Sequence, residues 1–214
     1  MRISITFFTR LVIILCCLHI SLLAPTQGFY TITKNYFRTD PFSGSFSNVI
    51  TQLLNDPAIS ERTVNKRTDT SLFYFEGTYN NYSPFFIPVN HCKIILAEKE
   101  DRTEDSTATA FFYYEYQLIG YARDSKNGKK DVEEEFEKLN KKFSRSLETV
   151  NSRELARDGN RAGMIKNYSF KSLGFIPLTL AWANTRDGSN IIAITIRFLN
   201  INNAAYLPIP SDRP

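Results

Sequence analysis

The sequence predicts an α+β fold: a mainly antiparallel or mixed sheet with a long helix packed on one face and a short N-terminal helix. Three observations carry that expectation. The runs Leu72 to Tyr79, Ile87 to Glu98 and Thr107 to Tyr121 alternate their side chains with the two-residue period of a strand. Val132, Phe136, Leu139, Phe143, Leu147 and Val150 recur at intervals of three and four, the period of a helix. Two more alternating runs, Ile176 to Trp182 and Ile192 to Phe198, flank Thr185-Arg186-Asp187-Gly188-Ser189, whose Asp-Gly suits a turn with positive φ.

A leader precedes these elements. Arg2 and Arg10 are its only charges, Leu11 to Leu23 is almost wholly apolar, and Thr26 and Gly28 sit three and one residues before an expected cleavage point. The apolar run is about 13 residues, short of the roughly 20 that span a hydrocarbon core. The expected division is therefore a secretion signal over residues 1–28, a single α+β domain over 29–207 and an irregular C-terminal tail over 208–214, which holds Pro208, Pro210 and Pro214. The expected location is secreted or periplasmic.

Residues 29–43 read as an extended lead-in that ends at Pro41 and Ser43-Gly44-Ser45. Phe46, Val49, Ile50, Leu53 and Leu54 then define a short helix capped by Ser45 or Ser47 and stopped by Asn55-Asp56-Pro57. Glu61 to Arg67 is polar and reads as an edge strand or a loop. In the first clear strand Phe73, Phe75, Gly77 and Tyr79 share a face. In the second, Cys92, Ile94 and Leu96 oppose His91, Lys93, Ile95 and Ala97. Lys99 to Ser106 is read as a solvated connection. In the third strand Tyr114, Tyr116 and Leu118 oppose Phe111, Tyr113, Glu115 and Gln117. The main helix is expected to begin near Lys129 and to extend through Leu155, ended by Asp158, Gly159 and Gly163. Glu133, Glu134 and Glu135 near its start and the lysines that follow read as a solvated face. A short strand is expected around Tyr168 to Leu173, ahead of the final pair.

Composition restricts the chemistry. The formal net charge of +4 includes the two leader arginines, too little to argue for nucleic acid. Of three cysteines, Cys16 and Cys17 lie in the leader, so Cys92 remains without an internal partner and is expected to be buried. His91 is the one histidine outside the leader, which removes multi-histidine zinc centres. Strand alternation also turns it away from Cys92. There is no phosphate-binding glycine loop, no Gly-x-Ser-x-Gly elbow and no Cys-x-x-Cys. No metal and no cofactor are expected.

Two sets of residues remain. Glu76 and Glu115 interrupt aromatic strand faces and are the candidate catalytic acids. Tyr79, Tyr82, Phe85, Phe86, Phe111, Tyr113 and Tyr121 belong to a chain that is 14% aromatic and form the candidate partner surface, since aromatics give large contact area at low entropic cost. Asn167-Tyr168-Ser169 fits a glycosylation acceptor, as does Asn81-Tyr82-Ser83, which Pro84 spoils. The reading these features favour is a secreted or periplasmic non-enzymatic binding protein with an aromatic-rich sheet-edge surface. Its partner would be a protein, peptide, glycan or small apolar ligand, with no nucleic acid and no membrane span after signal removal. The alternatives are a small metal-independent hydrolase or glycan-processing enzyme using the acidic pair, and a structural component of a surface assembly.

Overall fold

A computed structural model describes residues 31–41, 46–68, 71–101, 111–122, 127–169 and 177–198. After a helical stretch at 31–36, helix α1 (Phe46–Asn55) leads into strands β1 (Ile59–Asn65), β2 (Tyr74–Tyr79), β3 (Val89–Asp101) and β4 (Phe111–Ala122). Helix α2 (Gly128–Phe143) leads into β5 (Glu148–Arg157), β6 (Asn160–Ser169), β7 (Leu178–Asn184) and β8 (Asn190–Phe198). The strands make one eight-stranded sheet in the order β1-β2-β3-β4-β8-β7-β6-β5. Every pairing is antiparallel. The chain thus runs twice through a helix followed by a four-stranded meander, and the two units meet at β4 and β8.

This overturns the predicted fold class. The molecule is mostly a single antiparallel sheet with short helices, not a sheet with a long helix packed on it. The helix expected through Leu155 stops at Phe143, where the Ser144 N–H bonds to the Asn140 carbonyl at 2.9 Å and the Leu147 N–H to the Phe143 carbonyl at 2.9 Å. Residues 148–157 are a strand instead. The physical reason lies at Asp158 and Gly159, with φ of 50° and 75°. Two consecutive left-handed positions make a tight hairpin turn, and that turn pairs β5 with β6 from Glu148↔Ser169 to Arg157↔Asn160. Val150, at helical spacing in the sequence, is 49% exposed on β5. The short strand expected at Tyr168 to Leu173 is the end of the longer β6, and its residues 170–173 lie outside the described ones. The extended lead-in is helical over 31–36.

One face of the sheet carries the core. Phe75 and Tyr79 of β2, Cys92, Ile94 and Leu96 of β3, and Tyr116 and Leu118 of β4 are buried on it. Ile192, Ile194 and Ile196 of β8 and Leu178, Leu180 and Trp182 of β7 continue it. In the second unit α2 presses Val132, Phe136, Leu139 and Phe143 onto this face, against β7, β8 and β4. The ten-residue α1 is too short to do the same and meets β1, burying Val49 and Leu53. The rest of the first unit is roofed by Ile32, Tyr36 and Phe37 of the lead-in and by Phe85 and Ile87 of the β2–β3 connection. Phe37 lies 4.5 Å, ring to ring, from Tyr116, and Tyr36 meets Phe143 edge-on at 5.7 Å.

Both sheet edges are irregular. β1 shifts register between Ser60 and Thr63, where Glu61 has φ 50°, and β5 shifts between Thr149 and Asn151 and again between Leu155 and Ala156. Bulges and charged side chains on an edge discourage pairing with another strand.

Candidate functional site

The connection from β2 to β3, residues 80–88, brings the candidate aromatics to one place and sorts them. Asn80 donates its N–H to the Ala58 carbonyl at 2.6 Å, and Asn81 takes φ 55°. Tyr82 packs edge-on to Tyr79 at 4.9 Å and donates its hydroxyl to the Tyr36 carbonyl at 3.1 Å. The Arg38 guanidinium lies 5.3 Å from the Tyr82 ring centre and is paired with Asp56 at 3.1 Å. Beyond Tyr82, the Phe85 N–H bonds to Ser83 Oγ at 3.1 Å. The Phe85 ring lies on Gly120, where a Cβ would come within 2.6 Å of it, so the glycine opens the seat that the ring fills.

Between Pro84 and Pro88 the side chains then alternate inward, outward, inward. Phe85 and Ile87 are buried, whereas Phe86 is 81% exposed. Its backbone is fixed nonetheless, for its N–H donates to Glu135 Oε1 on α2 at 2.9 Å. Two of the expected surface aromatics, Tyr79 and Phe85, are therefore core residues and leave the candidate surface. Tyr82 is half-buried bracing, and Phe86 alone of this group is presented to solvent. Glu135 escaped the sequence reading, which grouped it with Glu133 and Glu134 as solvated. Its spacing from Val132 and Leu139 places it on the apolar stripe, and it is fully buried.

The face of the sheet away from the helices holds both candidate acids. Register aligns Glu76, Ile95, Gln117, Thr195, Thr179, Asn167 and Asn151 in one row across seven strands. The adjacent row contains Tyr74, Ala97, Glu115 and Arg197. Glu76 and Glu115 thus share a face with β3 between them, about 10 Å apart across the strands and one further row apart along them. Each has its own cation. Glu76 accepts from Lys93 Nζ at 2.8 Å and from the Tyr74 hydroxyl; Glu115 accepts from Arg197 Nε at 2.7 Å and from Gln117 at 3.4 Å. Lys93, and after it the Tyr74 hydroxyl, hold the Glu76 carboxyl below the usual carboxylate range, whereas a general acid needs the opposite shift.

The remaining candidates are dispersed. Tyr113 and Tyr121 are half-buried on this open face, and Tyr121 stacks on His91 at 4.2 Å. Phe111 begins β4, with its side chain outside the described ones. Cys92 points the other way and is fully buried, and burial pushes its thiol up to about 12. Asn167 does not present a free amide. Its Nδ2 donates to Asn151 at 2.7 Å, its Oδ1 accepts from Thr179 at 2.7 Å, and Ser169 is buried.

A groove of about 510 Å³ lies on the other flank of α2, walled by Glu133, Glu137 and Lys141 and by Arg161, with Trp182 as its floor. Arg161 and Lys129 already stand over the Trp182 ring, at 5.5 and 6.0 Å, and the indole is 1% exposed. The floor is consequently occupied by the protein's own cations. Among the described residues no group of three or more His, Cys, Asp or Glu side chains could hold a metal, and no helix is long and apolar enough to cross a membrane. Compared with protein-family models, curated proteins and solved structures, the chain matches none.

Proposed function

We propose that the protein is a secreted or periplasmic, non-enzymatic binding protein that captures a protein or peptide partner by inserting Phe86 into an apolar pocket of that partner. One observation carries the reading: a large aromatic side chain is 81% exposed on a connection whose neighbouring residues Phe85 and Ile87 are buried. Leaving a phenyl ring in water forfeits the burial energy its neighbours gain, about 1.5–3 kcal/mol. The connection is also held by three contacts to the rest of the protein, from Ala58, Tyr36 and Glu135, and by one within it, from Ser83. A ring presented on a braced backbone loses little entropy on docking, and aromatics of this kind dominate interface energetics. The export reading of residues 1–28 supports a partner outside the cytosol.

The test is quantitative capture from the native extracytoplasmic fraction, with the partner identified by mass spectrometry and its affinity then measured. Phe86→Ser should weaken binding by at least about 2 kcal/mol, roughly thirtyfold in Kd, with circular dichroism unchanged. Val150→Ser, at the other exposed flank, should bind as the parent does. Undiminished binding by Phe86→Ser would reject the proposal.

A further inference from the structure

We infer that Glu135 is the positioning residue for Phe86: a buried carboxylate on α2 that holds the Pro84–Pro88 segment so that the aromatic ring points outward. The consequence for binding rests on the docking reading above; the positioning itself does not.

Glu135 is 0% exposed and lies in the apolar stripe of α2 with Val132, Phe136 and Leu139. Its Oε1 accepts the Phe86 N–H at 2.9 Å, and its Oε2 has no hydrogen-bond partner among the described residues. A buried acceptor is costly unless it is hydrogen-bonded. Among the described residues the Phe86 N–H is the one hydrogen bond this side chain receives, so any swing of the segment away from α2 removes it. The penalty falls on movement of one backbone position, that of the exposed ring. The contact also joins the two units, since α2 opens the second and the 80–88 connection belongs to the first.

Amide hydrogen exchange on the free protein tests this without any partner. In Glu135→Leu the Phe86 amide should exchange at least about tenfold faster, while core amides such as those of Ile94 and Ile194 keep the parent rate. Glu135→Gln retains an acceptor oxygen at the same reach and should restore protection. Should Glu135→Leu fail to fold, Glu135→Asp carries the test, for it keeps the carboxyl group and withdraws the acceptor by one methylene; it too should accelerate exchange at Phe86. Parent-like protection in Glu135→Leu, or in Glu135→Asp where the leucine variant does not fold, or loss of protection in Glu135→Gln equal to that in Glu135→Leu, would overturn the inference. Failure of Phe86→Ser to reduce capture would remove the docking reading and leave this result standing.

Discussion

The two helix-and-meander units solve the same problem with different means. In the second, α2 is sixteen residues long and places Val132, Phe136, Leu139 and Phe143 across the sheet, and the connection after it adds Leu147. In the first, α1 is ten residues long and reaches little beyond β1, so the lead-in and the 80–88 connection supply Ile32, Tyr36, Phe37, Phe85 and Ile87 to the same core. In the 80–88 connection the residue between the buried Phe85 and Ile87 is turned out. Phe86 is that residue. The exposed aromatic follows from a helix too short to cover its own strands.

The largest expected effect that sharpens this contrast is on stability. Phe136→Ala should cost about 3–5 kcal/mol by chemical denaturation, whereas Leu53→Ala should fall near about 2 kcal/mol, the low end for a buried leucine. The difference arises from the larger side chain of Phe136 and from its place on α2, which crosses three strands where α1 meets chiefly one. A Leu53→Ala loss equal to that of Phe136→Ala would mean that α1 carries as much of the core as α2, and would break the contrast.

Much of the first unit was legible in the sequence. The faces of β2, β3 and β4 follow from period-two alternation, which sets Phe75, Cys92 and Tyr116 against Glu76, Lys93 and Glu115 without any tertiary information. The second unit was misread at one point. Leu147 and Val150 continue the helical spacing, and Asp158-Gly159 serves equally as a helix stop and as a hairpin turn. Only pairing with β6 decides between them, and pairing is a long-range property. The site was half legible for the same reason. Phe85 and Phe86 are adjacent and alike, and which of them turns inward depends on the opening above Gly120, thirty-five positions along the chain from Phe85. Glu135 was hidden by the acidic run Glu133-Glu134-Glu135, although its spacing marked it.

The smallest expected effect concerns the open face. Glu76 is held below the usual carboxylate range mainly by Lys93, so its contribution to stability is complete above that range and is lost as pH falls through the lowered value. Lys93→Met removes the main cause. The parent should exceed Lys93→Met by less than about 1 kcal/mol at pH 7, as partly exposed pairs do, and the gap should close on acidification. A gap that widens at low pH would show that the pair is not what ties Glu76 to the fold.

The most direct measurement is hydroxyl-radical footprinting of the folded protein, read residue by residue. Phe86 should be oxidised readily while Phe85, its neighbour in the chain, and the buried Tyr79 stay protected until the protein unfolds. Equal protection of Phe85 and Phe86, or oxidation of Phe85 ahead of Phe86, would contradict the claim that covering the first unit turns this one ring outward.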